Sequence, residues 1–277
     1  MALLNDLRVR AGVRTLLSAE NSNPKVRKNL KLNVSTAALH LAPGDMSGHE
    51  VCPKRSPGCS AACLHYAGNP AYLTTKTTSR IKKTKLFFSD RNLFMNILAL
   101  ELAKHILKAK GTPAARLNAT SDIVWEKKKF ILWEETKAEL KKYGIDFNPL
   151  ATDIISLFTS RKNPIIYYDY TSIPNRNPPP HYHLTFSMKE QNMNDTQNAI
   201  TQGLNVAVVF PDANLPETFL GLPVIDGDET DYRPADPTPC IVGLKAKGVK
   251  GRADQTGFIF REPPPTPTPM NFISGSF

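Results

Sequence analysis

The segment NVAVVFP, residues 205–211, is a short apolar run that ends at a proline. It lacks the alternation of polar and apolar residues that is typical of a strand with one face in water, so it predicts a strand buried on both faces. Such strands belong to parallel sheets whose faces are covered by other elements. The segment therefore indicates an α/β protein.

Segments of strand and helix character alternate on both sides of this strand. Further strands are predicted at residues 32–43, 114–120, 164–171, 181–188, 222–228, 240–248 and, as a last short one, 257–260. Helices are predicted at residues 71–88, 91–111, 134–142, 153–158 and 194–202, and another begins with Ser121 or Asp122 as its N-cap. Six or more such units favour a barrel-like, mostly parallel sheet, complete like a TIM barrel or incomplete, with surrounding helices. A doubly wound sheet is the alternative.

The chain is predicted to hold one domain and a tail. Residues 1–262 form the α/β domain with a basic N-terminal third, and residues 263–277, with the run PPPTPTP, form a proline-rich tail that we expect to be disordered. No apolar run approaches the roughly 20 residues that cross a bilayer, and the N-terminus lacks the apolar stretch of a signal peptide. We therefore expect a cytoplasmic protein with no membrane partner.

Three of the four cysteines lie close together in CPKRSPGCSAAC, residues 52–63. In a reducing cytoplasm clustered thiols favour metal binding over disulfides, so Cys52, Cys59 and Cys63 are predicted to hold one iron–sulfur cluster or zinc ion. A cluster with three thiolates leaves one iron open, and the spacing differs from that of common zinc ribbons. The candidate fourth ligands are Cys240, His65 and His49. The alternative is that the cysteines are small loop and core residues.

Carboxylates follow two of the predicted strands. In RLNATSDIVWE, residues 116–126, Asn118 and Asp122 follow a strand at the end where barrels carry their active sites. Asp122 is a candidate nucleophile or general base, held ionised by the N-terminus of its helix, and Glu126 is placed to orient it. Alternatively, Ser121 and Asp122 only cap the helix.

Asp169, in YYDYT, stands at the end of an apolar strand, where a carboxylate is costly unless it is paired or used. It is the candidate for a raised pKa and a proton-donor role. We expect Asn118, Asp122 and Asp169 to meet in one pocket near the cysteines.

Positive charge is concentrated at the start of the chain. Residues 1–90 hold 14 Lys and Arg against 5 Asp and Glu, whereas the remaining residues hold 21 against 20. A basic patch beside the cysteines is predicted to bind the phosphate backbone of nucleic acid, with an affinity that falls steeply with salt. Its members are Arg80, Lys82, Lys83 and Lys85, with Arg27, Lys28 and Lys31. The alternative is a solvated basic face.

An ordered series of motifs resembles a family of tailed-phage proteins related to the Gene 88 protein family. The motifs are CPKRSPGCSAACLHYAG, RIKKTKLFF, RLNATSDIVWE, YYDYT, HLTFS, DGDETDYR and GLKAKG, and the resemblance covers roughly residues 31–260. It implies a phage origin and the cytoplasm of an infected bacterial host rather than a particular reaction. Radical S-adenosylmethionine enzymes and transglycosylases that exchange guanine share parts of the pattern, by analogy only.

Three functions remain open from the sequence. The first is an enzyme acting on nucleic acid or nucleotides with a cysteine-bound metal or iron–sulfur cluster. The second is a non-catalytic, metal-stabilised nucleic-acid-binding module. The third is a phage structural or host-interaction protein whose cysteines are incidental.

Overall fold

A computed structural model describes residues 2–20, 23–66, 74–159, 164–212 and 214–261. One sheet of nine strands runs through these residues, and its order is β1-β2-β3-β4-β5-β6-β9-β8-β7. The strands are β1 (Leu17–Ser18), β2 (Val34–Leu39), β3 (Thr112–Arg116), β4 (Ile166–Thr171), β5 (Tyr182–Ser187), β6 (Val206–Phe210), β7 (Thr218–Phe219), β8 (Leu222–Asp226) and β9 (Ile241–Lys245). The α/β class and the mostly parallel sheet are confirmed.

The sheet winds mainly in one direction. From β2 to β6 each strand pairs in parallel with the next strand of the chain, and β9 and β8 continue the parallel pairing. The short strands β1 and β7 pair antiparallel and form the two ends of an open sheet. The strand order runs forward from β1 to β6 and then backward from β9 to β7, so the nine strands form an open, mostly parallel sheet.

The helices of nine or more residues cover one face of the sheet, and the shorter helices contribute residues to the cavity on the other face. The helices are α1 (Ala2–Arg10), α2 (Pro24–Arg27), α3 (Pro57–Ala61), α4 (Thr74–Ser89), α5 (Arg91–Lys108), α6 (Glu134–Lys142), α7 (Met193–Thr201) and α8 (Gly248–Arg252). Asp90 caps the N-terminus of α5, where its side chain accepts the Leu93 N–H. Apolar side chains of α5, such as Leu98, enter the largest core with Leu184 of β5. None of the described helices is long and apolar enough to cross a membrane.

The opposite face of the sheet is covered less completely. Two small apolar clusters lie there, one around Val34 and Tyr168 and another around Ala207 and Val242. Because side chains alternate between the faces of a strand, residues next to core residues point to this second face. It is the face on which a cavity forms.

Two of the helices predicted from the sequence do not form. No α-helix begins at Ser121 or Asp122, and only a short 3₁₀ helix, Trp125–Lys127, follows. The reason is local: Asn118 Oδ1 accepts hydrogen bonds from Ser121, Ile123 and Trp125, so this segment wraps around one side chain. Residues 153–158 form turns, in which Asp153 accepts the Ser156 N–H.

Two further predictions concern the end of the chain. Residues 257–260 contribute a single β-bridge, between Val209 and Ile259, in place of a full strand. The proline-rich tail, residues 263–277, lies outside the described residues.

Candidate functional site: a cysteine-lined cavity

A cavity of about 230 Å³ opens at the C-terminal ends of the parallel strands. Its floor is the less covered face of the sheet, with Arg116 of β3, Tyr170 of β4, Val209 of β6 and Leu244 of β9 among the lining residues. Because strand ends in such sheets present side chains from several strands to one place, this is where α/β proteins most often keep their ligand sites.

Cys52, Cys59 and Cys63 all line this cavity. Each is a free, half-buried thiol. Burial raises the pKa of Cys52 to about 12 and that of Cys59 to about 11, and the neighbouring cysteines raise the pKa of Cys52 further. Cys59 and Cys63 are therefore close enough to affect the charge of Cys52, and burial raises the pKa of Cys63 as well.

Residues that follow β5 hold the cysteine loop. Ser56 caps α3 by accepting the Cys59 N–H, and Glu190 accepts the Gly58 N–H at 2.8 Å. Lys189 Nζ donates to the carbonyl oxygen of Lys54. These contacts join the segment after β5 to the loop between Cys52 and Cys59.

The loop after β3 packs directly against the cysteine loop. The Asp122 N–H donates to the Val51 carbonyl at 2.8 Å, and Cys52 Sγ lies 3.9 Å from the Thr120 carbonyl oxygen. Asn118 and Asp122 both line the cavity. The structure thus brings together the cysteine motif and the RLNATSDIVWE motif, which are separated by more than 50 residues in the sequence.

Asp122 presents a carboxylate to the cavity. It accepts hydrogen bonds from the Thr171 hydroxyl and the Ser172 N–H, each at 2.8 Å. Burial raises its pKa, and these two hydrogen bonds partly oppose that effect. The expectation that a helix N-terminus holds Asp122 ionised is wrong, because there is no such helix. A buried carboxyl group with a raised pKa is suited to accept and release a proton.

Glu126 contacts a residue that sequence reasoning missed. Its carboxylate receives two hydrogen bonds from Arg176, at 3.1 and 2.7 Å, and Arg176 Nη1 also lies 3.8 Å from Asp122. The guanidinium lies over the ring of Tyr182, 5.3 Å from its centroid. The arginine therefore stands between the two carboxylates. Its only sequence signal is one cation in an irregular segment rich in proline.

Asp169 lies beneath the cavity and is not among its lining residues. It is fully buried and accepts hydrogen bonds from the Asn118 N–H at 2.7 Å and the Tyr182 hydroxyl at 2.8 Å. Burial raises its pKa to about 7. Of the three polar residues expected to share a pocket, Asn118 and Asp122 therefore reach the cavity, and Asp169 supports the Asn118 backbone from below.

The candidate fourth ligands lie elsewhere. Cys240 is fully buried at the start of β9, at the opposite end of the strand from Leu244, and it packs against Ala207 and Val242. His65 Nδ1 contacts Arg80 at 2.8 Å, and the ring of His49 stacks on Phe88. None of the three lines the cavity.

The cysteine thiols that line the cavity are the candidate ligands of a metal centre. Within the described residues, no three Cys, His, Asp or Glu side chains stand close enough to hold a metal ion without rearrangement. Apart from the cysteines, the described lining residues of these types are Asp122, held by Thr171 and Ser172, and Asp228, which pairs with Lys247. Three thiols without a free fourth protein ligand suit a three-thiolate cluster better than a closed zinc site.

The cavity is rich in positive charge. Its described lining includes two aspartates and seven basic residues, namely Lys25, Lys54, Arg55, Arg116, Lys189, Lys245 and Lys247. Lys189 is 5% exposed, and no carboxylate of the described chain lies within 4 Å of its Nζ. Burial lowers its pKa. Sequence reasoning missed this lysine, whose only signal is its position two residues after a strand.

The structure divides the predicted basic patch. Lys82 and Lys85 are exposed on α4, as are Arg27, Lys28 and Lys31 near α2. Lys83 is buried and donates to the Leu16 carbonyl at 2.8 Å, and burial lowers its pKa to about 8. Arg80 turns toward His65. Lys83 is therefore unavailable to a nucleic acid at the surface.

Comparison with known proteins identifies one family. The family model described as Gene product 88 matches residues 14–262, which is most of the chain. A search of curated proteins and a search of solved structures gave no match.

Proposed function

The chain belongs to the Gene product 88 family, and we propose that it is a phage-encoded enzyme with a cysteine-bound metal centre that acts on a nucleotide or nucleic acid. One observation carries the proposal. Cys52, Cys59 and Cys63 line the same cavity as the carboxylate of Asp122 and a large excess of Lys and Arg. A cavity that combines thiol ligands, an acid–base group and cations suits chemistry on an anionic substrate.

An iron–sulfur cluster is our first choice for the centre, and zinc is the second. Either would replace the protons of the three thiols when it binds. A cluster held by three thiolates has one iron free for a substrate or cofactor group, whereas zinc in an open site would activate a bound water. The absence of a free fourth protein ligand in the described lining favours the cluster.

The chain's own residues supply the remaining parts of a site. Asp122 is held by Thr171 and Ser172 with its carboxylate toward the cavity, where it can accept a proton from a substrate or donate one. Arg176 stabilises the ionised form of Asp122 from behind. Lys189 adds a buried ammonium beside the cysteines, which would balance the negative charge of thiolates or of a bound anion.

The test is metal analysis of protein purified without oxygen, with visible absorption and electron paramagnetic resonance spectra. We expect iron and sulfide in the wild-type protein and their loss in Cys52→Ala, Cys59→Ala and Cys63→Ala. The matched control is Cys240→Ala, which removes a cysteine outside the cavity and should keep the metal. Zinc without iron would select the second choice, and protein that takes up neither metal would refute the centre.

A non-catalytic nucleic-acid-binding module is the second candidate. The exposed cations Arg27, Lys28, Lys31, Lys82 and Lys85 favour it, because such side chains can contact phosphates without any chemistry. It predicts salt-dependent binding that leaves the nucleic acid chemically unchanged after incubation with the reduced, metal-loaded protein. A phage structural or host-interaction protein, the third candidate, predicts neither metal nor nucleic-acid binding.

A further inference from the structure

The end of the cavity formed by β3 and β4 carries two cations that share one carboxylate. Arg116 Nη1 lies 2.9 and 3.0 Å from the two carboxylate oxygens of Asp231, and Lys25 Nζ lies 3.1 Å from Oδ1 of the same group. Asp231 is fully buried and also accepts a hydrogen bond from the Tyr168 hydroxyl. The carboxylate therefore fixes both cations in place from behind.

This cluster has a surplus positive charge that faces the cavity. Lys25 and Arg116 line the cavity, whereas Asp231 does not. Within 4 Å, the two cations share the single carboxylate of Asp231, and Asp228 and Asp169 act on them only from a greater distance. The lysines at the end of β9 differ, because Lys245 pairs with Asp226 at 3.0 Å and Lys247, just beyond the strand, pairs with Asp228 at 2.9 Å.

The Arg116 guanidinium also has hydrogen-bond donors that do not contact Asp231. Nη1 makes both contacts with Asp231, and Nε is buried without a hydrogen-bond partner in the described structure. The hydroxyl of Tyr170, another lining residue, is likewise buried without a partner among the described groups. Unpaired buried donors are costly in a folded protein, and an anion brought by a ligand would satisfy them.

We propose that Lys25 and Arg116 form a phosphate subsite, so that the ligand of the cavity is a nucleotide held by its phosphate at this end. Arginine and lysine are the usual partners of phosphate, and a guanidinium fixed by a buried carboxylate is already oriented for it. The base and sugar then extend toward Cys59 and Asp122. The nucleoside part of this inference rests on the proposed function, whereas the phosphate subsite does not require the metal.

The geometry favours a single nucleotide over a duplex. The subsite lies on the floor of a concave cavity of about 230 Å³. Proteins read a duplex with elements that project outward into grooves, of which the major groove is about 12 Å wide. A mononucleotide or the end of a single strand can enter the cavity, and both bring the same phosphate chemistry.

The experiment is calorimetric titration of the metal-free full-length protein with a set of nucleoside monophosphates and the corresponding nucleosides. Inorganic phosphate and a short single-stranded oligonucleotide serve as competitors. We expect at least one monophosphate to bind, its nucleoside to bind at least tenfold more weakly, and inorganic phosphate to compete. The Lys25→Ala variant should weaken the binding of that monophosphate by about tenfold, the loss expected for one charge-assisted hydrogen bond.

Lys25→Ala is the informative variant, because it leaves the buried pair of Arg116 and Asp231 intact. Lys142→Ala, an exposed change at the end of α6, is the matched control and should bind as the wild type does. If the oligonucleotide displaces the monophosphate and inorganic phosphate does not, the phosphate subsite is supported and its ligand is a nucleic-acid strand. Equal affinity for monophosphate and nucleoside, or an unchanged affinity in a folded Lys25→Ala protein, would overturn the inference. Phosphate binding by a protein that takes up no metal would refute the proposed centre and leave this subsite standing.

Discussion

Glu190 binds the backbone of Gly58, with Oε1 accepting the Gly58 N–H at 2.8 Å. The second oxygen of the same carboxylate accepts the Ser56 hydroxyl at 2.7 Å. One side chain from the segment after β5 thus holds the first turn of α3, the helix that carries Cys59. The position of a candidate metal ligand therefore depends on a residue more than 130 positions away in the chain.

Removing this carboxylate should loosen the cysteine loop. We expect Glu190→Ala to lower the free energy of unfolding by about 2 kcal/mol, because two hydrogen bonds to a charged group are lost. The same variant should bind less iron, or less zinc, per chain than the wild type. Urea denaturation and metal analysis measure the two effects. Glu135→Gln, an exposed change on α6, is the control. Full metal occupancy in Glu190→Ala would contradict this role.

Arg176 should be coupled energetically to Glu126. Replacing one partner of a buried ion pair leaves the other charge without compensation, so Arg176→Met should destabilise the fold by about 3 kcal/mol. The side chains of Arg176 and Glu126 are only 3% and 12% exposed, which supports a cost of this size. Adding Glu126→Gln to Arg176→Met should recover part of the loss. A double-mutant cycle in urea measures the coupling, and a coupling energy near zero would refute it.

Asp169 should make the stability of the fold depend on pH. Burial raises its pKa from 3.8 to about 7, so between these values the folded protein keeps a proton that the unfolded chain has lost. The contribution of Asp169 to the free energy of unfolding is fully present below the lower pKa. It falls as the pH rises from the lower to the higher pKa, by up to about 1.4 kcal/mol per pH unit.

The variant Asp169→Asn should remove this contribution, because asparagine does not titrate and can still accept the Asn118 N–H. Unfolding by urea at a series of pH values gives the difference between the wild-type and variant slopes. Asn198→Asp, on α7, introduces a carboxylate outside this buried network and serves as a control. If stability depends on pH with the same slope in the wild type and Asp169→Asn, then Asp169 has the same pKa in the folded and the unfolded protein, which would contradict this prediction.

Neighbouring lysines of α4 should behave differently toward nucleic acid. If the exposed basic surface binds a phosphate backbone, Lys82→Ala and Lys85→Ala should each reduce the slope of log affinity against log salt by about 0.7 to 0.9. Lys83→Ala should leave that slope unchanged and destabilise the fold by about 1–3 kcal/mol, because the buried Leu16 carbonyl loses its partner. Fluorescence anisotropy at several salt concentrations measures the slopes. Equal effects of the three substitutions would contradict this division.

Local patterns in the sequence predicted most of the regular structure. The apolar run at residues 205–211 contains β6, and the charged stretch Glu134–Lys142 is a helix with those bounds. Such predictions succeed because periodicity and turn residues are properties of neighbouring positions. The helix expected after Ser121 does not form. Asn118 Oδ1 accepts hydrogen bonds from Ser121, Ile123 and Trp125 and holds the segment in a different conformation.

The cavity could be predicted only in part. The spacing of Cys52, Cys59 and Cys63 and the position of Asp122 after a strand were visible in the sequence. The roles of Lys25, Arg176 and Lys189 were not, because each depends on a partner brought near by the fold. The inward direction of Lys83 likewise depends on which face of α4 packs against the protein.

Local sequence patterns were sufficient to predict the α/β class, most of the strands and the thiols available for a metal. Which charged side chains meet depends on how the chain packs in three dimensions. Arg116 and Asp231 are 115 residues apart in the chain, yet they form a buried pair because they lie on different segments that the sheet brings together. Contacts of that separation depend on strand order and register, which no local pattern encodes. The same packing gives the cavity its surplus of positive charge.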